Sequence, residues 1–89
     1  MAWSVEISAG ARKALARLDP PAARAILSFL DEKVARGPDP RASGKALGGS
    51  TLGAFWRWRV GDYRIVADIQ ARRVTVLVVR IGHRREVYR

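Results

Sequence analysis

The sequence of 89 residues contains no cysteine and a single histidine, His83. Without thiols the chain forms no disulfide bonds or thiolate zinc sites, and it has no thiol nucleophile. One histidine and scattered carboxylates cannot supply the three or four ligands that protein metal sites usually have. We therefore expect no metal or cofactor, a cytoplasmic location, and a fold held by packing alone or with a partner.

Long apolar runs are also missing. The sequence nowhere holds the ~18 consecutive apolar residues of a membrane-spanning helix. Its N-terminus, Met1–Glu6, lacks the basic and then apolar layout of a signal peptide. We expect no membrane association. With 48% hydrophobic residues, a chain of this length can build one core and not two, so we expect a single domain over residues 1–89.

Acidic residues are scarce, and lysine is absent from the C-terminal part of the chain. The net charge is +9, and residues 55–89 carry +6 of it through nine arginines and three acidic residues. The planar guanidinium fork of arginine suits bidentate contacts to phosphate and stays charged at any physiological pH. This uneven, lysine-free charge favours nucleic acid as the partner over a generic solvated surface.

The N-terminal half has the pattern of a strand followed by two helices. Trp3, Val5 and Ile7 alternate with polar residues, as in a strand with one buried face. Ser8 then fits a helix N-cap, and Asp19-Pro20-Pro21 ends the first helix and starts the second. The apolar stripe of the second helix consists of Ala23, Ile26, Leu27, Leu30 and Val34. We expect an αα-hairpin that covers one face of a sheet.

Residues 38–54 are rich in glycine and proline, which predicts a loop. The glycines and Lys45 are also the residue types of phosphate-binding loops, but their spacing does not match a Walker A motif. Lys45 therefore stays a candidate contact to an RNA ligand and no more.

From Phe55 onward the apolar period becomes two, and Gly61-Asp62 separates two strand-like runs. This pattern predicts a β-hairpin with a two-residue turn of the primed type. In the resulting register Arg59 faces Arg64, and Arg57 shares their side of the sheet. Like charges placed opposite each other repel unless something neutralises them, so this face favours an anionic ligand. Arg57 and Arg59 are interpreted as clamps on an RNA backbone.

The other face of this hairpin carries Trp56 and Trp58, which we expect to pack in the core rather than to stack on bases. The later run Val74–Ile81 is apolar on both alternating faces, as in a central strand, and Gly82 is expected to interrupt it. These patterns predict the α+β class: an N-terminal strand, an αα-hairpin and then an antiparallel β-sheet.

The C-terminal tail brings together arginine, histidine, glutamate and tyrosine. This set suits phosphoryl transfer in RNA, where the 2′-hydroxyl of the substrate is the nucleophile and the enzyme stabilises charge and moves protons. Arg64 and Arg84 are the candidates for stabilising the transition state, and Arg85 is a candidate RNA contact. Neighbouring guanidinium groups would lower the pKa of the Tyr88 hydroxyl, so Tyr88 competes with His83 as the general acid or base.

Two segments, Trp56–Ile65 and Val79–Tyr88, resemble the RelE branch of the RelE/ParE toxin superfamily. The order of strand, αα-hairpin and sheet agrees with that fold over the whole chain. The resemblance implies a toxin of a type II toxin–antitoxin pair that enters the ribosomal A site and cuts mRNA, leaving a 2′,3′-cyclic phosphate. At the matching positions it implies that Arg64 and Arg84 stabilise the transition state and that Tyr88 is the base.

The same resemblance implies partners. Arg57 and Arg59 match a basic pair that is lysine in the best-known member, which leaves them a role in charge stabilisation. Ribosome and mRNA would be the targets, and the positive charge would speed the approach to them. A separate acidic antitoxin would inhibit by covering the arginines or displacing the tail with Tyr88, in a complex that can be oligomeric. Two alternatives stay open: a ParE-like, non-enzymatic inhibitor of DNA gyrase, and an RNA-binding module without activity.

Overall fold

The computed structural model describes residues 3–46 and 55–83, which form five strands and two helices. The strands are β1 (Ser4–Ile7), β2 (Lys45–Ala46), β3 (Phe55–Val60), β4 (Tyr63–Gln70) and β5 (Thr75–His83). The helices are α1 (Ala9–Arg17) and α2 (Pro20–Phe29). A π-helical segment (Leu30–Ala35) continues α2, and two 3₁₀ turns (Pro40–Ser43 and Ala71–Arg73) precede β2 and β5. No helix in these two ranges is long and apolar enough to cross a membrane.

The strands lie in one sheet in the order β1-β5-β4-β3-β2. β1 is parallel to β5, and the other neighbouring pairs are antiparallel. The predicted α+β class is confirmed, with one difference at the sheet edge. Because the first strand pairs with the last one, the sheet is mixed there and not wholly antiparallel.

The hydrophobic core lies between the two helices and one face of the sheet, as an αα-hairpin on a sheet requires. The sheet contributes Trp58, Ile65, Ala67, Ile69, Val76, Val78 and Ile81. The helical part contributes Ala11, Ile26, Leu30 and Val34. Trp56 packs against this cluster, so the prediction of a core position for both tryptophans is confirmed. Both helices pack on this one face of the sheet.

Both helices start where the sequence predicts, although only Ser8 caps its helix and the Asp19 side chain makes no capping hydrogen bond. The Ser8 hydroxyl accepts a hydrogen bond from the Ala11 amide at 3.1 Å, which satisfies one of the unpaired donors of the first turn of α1. α2 starts with Pro20 directly after Asp19, where a proline costs no hydrogen bond because first-turn amides have no helical partner.

One member of the predicted stripe of α2 does not face the core. Leu27 is 45% exposed, whereas Ile26, Leu30 and Val34 are buried. Phe29 packs against the core instead. The apolar face of the helix is therefore rotated toward Phe29 relative to the predicted stripe, and Leu27 lies beyond its edge.

The end of the helical part has a specific cause. The Arg36 amide bonds to the Asp31 carbonyl at 3.1 Å, a five-residue step that widens the last turn. At Gly37 a side chain would place its Cβ 2.6 Å from the Lys33 carbonyl oxygen. Only glycine fits at this close approach, and the helical part ends before it.

The β3–β4 hairpin has the predicted register. Val60 pairs with Tyr63 and Arg59 with Arg64. Gly61 has a φ of +57°, and Asp62 does not share a positive φ. A positive φ at the first turn residue alone is the pattern of a type II′ turn, one of the two primed types that match the twist of a hairpin.

The start and the end of β5 differ from the prediction. Val74 does not begin the strand: its φ and ψ of 49° and 46° are left-handed, because it closes the 3₁₀ turn before Thr75. Gly82 does not interrupt the strand either. It pairs with Arg64, and β5 continues to His83.

Candidate functional site

The open face of the sheet carries the arginines of the hairpin. Arg57, Arg59 and Arg64 alternate with Trp58 and Ile65, which are 1% and 0% exposed on the core side. Arg59 is exposed, and the other two arginines are half-buried. The prediction that three guanidinium groups share one face of the sheet is confirmed, because the two-residue turn fixes the register.

A fourth arginine, Arg80, joins this face through a β-bulge. Alternation continued from the buried Val76 and Val78 would send Arg80 into the core. Val66 pairs with Arg80, however, and the next residue, Ala67, pairs with Val78, so β5 carries one extra residue. The bulge reverses the phase of the strand and turns Arg80 outward, where it is exposed.

Sequence reasoning missed Arg80, although a single arginine in an otherwise apolar run was a usable signal. In the sheet, Val66 pairs with Arg57 on one side and with Arg80 on the other. The four residues Arg57, Arg59, Arg64 and Arg80 are called the arginine face below.

Lys45 lies next to the arginine face. Residues 38–54 are not loop throughout, since β2 adds a short strand to β3 and pairs Lys45 with Arg57. A cleft of about 420 Å³ opens between this segment and the hairpin. It is lined by Ala42, Ser43, Gly44, Lys45, Arg57, Trp58, Arg59 and Arg64. Four cationic side chains from three strands therefore converge on one cleft.

Arg64 is held by the turn that precedes it. Its Nη1 donates hydrogen bonds to the Gly61 carbonyl at 3.1 Å and to the Tyr63 carbonyl at 3.0 Å. A guanidinium group has five N–H donors, and Nη1 carries two of them. The turn thus fixes one end of the fork, and the Nε and Nη2 donors define the end that can contact an anion.

His83 lies on the other face of the sheet. It pairs with Tyr63, and the two rings meet edge to face with centroids 6.0 Å apart at 83°. Tyr63 packs against the core, so this pair belongs to the side of the helices. The structure does not bring His83 together with Arg64, because the neighbouring Gly82 occupies the position opposite that arginine.

The three other predicted site residues, Arg84, Arg85 and Tyr88, lie outside the described residues. Within residues 3–46 and 55–83 there is no group of three or more His, Asp or Glu side chains that could hold a metal ion.

Comparisons with known proteins agree on one family. A family model described as the ParE toxin of type II toxin–antitoxin system, parDE, matches residues 5–88. Toxin RelG of Mycobacterium tuberculosis is 32% identical over 89 residues, which are 100% of this chain and 99% of RelG.

Solved structures of two complexes have the same fold. The toxin–antitoxin complex RelBE2 of Mycobacterium tuberculosis contains a chain that is 28% identical with a TM-score of 0.83, over 93% of this chain and 99% of that one. In the RelE–RelB complex of Pyrococcus horikoshii the corresponding values are 26%, 0.77, 98% and 100%. The chain therefore belongs to the RelE/ParE family of type II toxin–antitoxin toxins.

Proposed function

We propose that this toxin is an endoribonuclease that cleaves mRNA in the ribosomal A site. The observation that carries the proposal is the cleft in which Lys45, Arg57, Arg59 and Arg64 converge. An RNA backbone supplies closely spaced phosphates, and four cations around one cleft match that charge. Membership in a toxin family and the similarity to RelG and to RelE–RelB complexes support the same proposal.

The reaction would be a transesterification within the RNA. The 2′-hydroxyl loses its proton to a general base, and its oxygen forms a bond to the adjacent phosphorus. The bond from phosphorus to the 5′-oxygen of the next nucleotide breaks, and that oxygen takes up a proton. The products are a 2′,3′-cyclic phosphate and a 5′-hydroxyl end. The phosphorus carries extra negative charge on the way, and this is the charge that the enzyme has to stabilise.

Arg64 is the cation best prepared for that role. Because the Gly61 and Tyr63 carbonyls hold Nη1, the guanidinium group needs little reorganisation when charge develops on a phosphate beside it. Lys45, Arg57 and Arg59 would bind the flanking backbone without reading its sequence. By their match to the family pattern, Arg84 would assist Arg64, Arg85 would contact RNA, and Tyr88 would be the base.

The proteins similar to this chain indicate an antitoxin as its partner. The structures similar to this chain include complexes of RelE with RelB. We propose a cognate antitoxin with an acidic segment that covers the arginine face, because four clustered arginines attract carboxylates as well as phosphates. The toxin would act in the cytoplasm, where ribosomes and mRNA are found.

The test is cleavage of mRNA in a translating extract with mapping of the new 5′ ends. We expect cuts within ribosome-bound codons for the wild-type protein. Arg64→Ala and Arg84→Ala should strongly reduce them, whereas Arg24→Ala, which removes an exposed arginine from α2, should not. Intact mRNA with the wild-type protein, or equal cleavage by Arg64→Ala, contradicts the proposal.

The description of the matching family model favours a second candidate. ParE-type toxins, which that model describes, would act on DNA gyrase and not on RNA. A supercoiling assay with purified gyrase separates the two: inhibition by the wild-type protein and equally by Tyr88→Phe supports the gyrase candidate. Lack of inhibition together with mRNA cleavage supports the endoribonuclease.

A further inference from the structure

A buried hydrogen bond links the two segments that line the cleft, which are the 3₁₀ turn before β2 and the β3–β4 hairpin. The indole nitrogen of Trp58, in β3, donates to the carbonyl oxygen of Pro40 at 3.1 Å. Both residues are among the fully buried ones, and they lie 18 positions apart in the chain. A buried donor left without an acceptor is costly, so this bond holds the 3₁₀ turn at Pro40–Ser43 firmly on the sheet.

Gly44 brings the backbone before β2 close to the indole ring of Trp58. A Cβ on this residue would lie 2.8 Å from the indole nitrogen of Trp58 and 2.9 Å from the carbonyl oxygen of Arg57. The backbone of Gly44 therefore rests directly on the indole ring. The next residue is Lys45, which pairs with Arg57. The position of Lys45 in the cleft thus depends on a tryptophan whose side chain points to the core.

The turn is also fixed internally. The Asp39 carboxylate accepts a hydrogen bond from the Arg41 amide at 3.0 Å, and the Ser43 hydroxyl donates to the Pro40 carbonyl at 3.4 Å. A turn that is rigid in itself moves as a unit. The hydrogen bond between this turn and the Trp58 indole therefore sets the position of Lys45 relative to the arginine face.

We propose that Trp58 and Gly44 are positioning residues for RNA binding: they hold Lys45 beside Arg57 as the fourth cation of the cleft. This rests on the proposed function, since it takes a phosphate backbone as the ligand. Both residues line the cleft, and neither carries a charge that could neutralise a phosphate. Without the indole N–H the turn moves away from the sheet, and Lys45 no longer reaches its phosphate.

The first measurement tests whether Trp58 and Gly44 hold the Pro40–Ser43 turn and β2 on the sheet, and it needs no RNA. Trp58→Phe removes the N–H and keeps an aromatic ring, and Gly44→Ala disturbs the same contact without changing the tryptophan. We expect the amide of Lys45, which pairs with Arg57 in the sheet, to exchange about tenfold faster in both variants, the factor that corresponds to ~1.4 kcal/mol. Trp56→Phe, which changes a tryptophan that has no hydrogen bond to Pro40, should leave the exchange of the Lys45 amide unchanged.

The second measurement is the affinity for a fluorescent single-stranded RNA oligonucleotide as a function of salt. For single strands, the slope of log K against log salt falls by about 0.7 for each phosphate that the protein no longer neutralises. Lys45→Ala, Trp58→Phe and Gly44→Ala should each reduce the slope by one such step. Trp58→Phe combined with Lys45→Ala should reduce it no further than Lys45→Ala alone, because both changes act on the same phosphate.

The outcomes separate this inference from the function it rests on. Faster exchange with a non-additive decrease in salt dependence supports it. Unchanged exchange in both variants overturns it, and so does faster exchange with the wild-type salt slope. If the wild-type protein binds no RNA, the proposed function fails, and so does the RNA-binding role of Trp58 and Gly44. The exchange rates then still decide whether the indole holds the turn in place.

Discussion

Arg59 and Arg64 face each other directly across β3 and β4, so two positive charges share one cross-strand pair. The pair that flanks a two-residue turn is hydrogen-bonded, and the next pair, which is this one, is the closer, non-hydrogen-bonded type. Like charges in such a pair destabilise a sheet. Arg64 reduces the conflict by turning its guanidinium group back to the Gly61 and Tyr63 carbonyls. The remaining repulsion is the part that a bound phosphate would relieve.

The first prediction is that removing one of these charges stabilises the free protein. Arg59→Gln should raise the free energy of unfolding by ~0.2–1 kcal/mol, the usual range for cross-strand charge pairs, and should weaken RNA binding. Urea denaturation and RNA titration measure the two effects. Arg24→Gln removes the same charge from exposed α2 and should do neither. A loss of stability in Arg59→Gln would show that the pair is already neutralised in the free protein.

The second prediction concerns Arg64 itself. Arg64→Ala should lower the rate of mRNA cleavage by ~10²–10³, the usual effect of losing one preorganised donor at a developing negative charge. Arg64→Lys should restore little of it, because an ammonium group cannot bond to the turn carbonyls and to a phosphate in the same planar geometry. Single-turnover cleavage on stalled ribosomes measures the rate, and circular dichroism confirms the fold. Full activity of Arg64→Lys would mean that charge alone suffices.

The third prediction tests the turn that orients Arg64. Gly61 has a φ of +57°, where a residue with a Cβ is strained. Gly61→Ala should cost about 1–2 kcal/mol of stability. Asp62→Ala, one position later and without a positive φ, should cost much less. Thermal unfolding of both variants measures the difference. Equal melting temperatures would show that the turn can change type without cost.

Much of the site follows from the sequence because the hairpin is local. The two-residue turn at Gly61-Asp62 and the alternation around it fix which side chains share a face. For this reason Arg57, Arg59 and Arg64 were placed correctly. The core position of Trp58 follows from the same register. Local turn geometry and period two are sufficient here, since both act over a few residues.

The other features of the site depend on contacts between distant parts of the chain. Lys45 stands beside Arg57 because β2 pairs with β3, and two residues of strand give no readable alternation. Arg80 faces outward because of a bulge that only pairing with β4 defines. His83 is a site candidate by its chemistry and by its place in the tail, but its pairing with Tyr63 puts it on the face opposite the arginines. Such features come from tertiary pairing, which a single sequence pattern does not encode.

The fourth prediction concerns Val74, which alternation assigned to β5. It has φ and ψ of 49° and 46°, a left-handed conformation that a β-branched residue adopts at a cost. Val74→Asn should stabilise the protein by about 1 kcal/mol, because asparagine tolerates this region better. The same change at Val5, extended in β1 and packed against the core, should destabilise it. Chemical denaturation decides, and a destabilised Val74→Asn would show that the packing of Val74 outweighs its backbone strain.

The fifth prediction separates Tyr88 from His83 as the proton acceptor. His83 contacts Tyr63 on the helix side of the sheet, so it should not reach a phosphate on the arginine face. Tyr88→Phe should lower the cleavage rate by ~10²–10⁴, the usual contribution of a general base. His83→Gln should lower it less than tenfold and keep the shape of the pH–rate profile. If His83→Gln instead removes one limb of that profile while Tyr88→Phe stays active, His83 is the proton acceptor and Tyr88 is not.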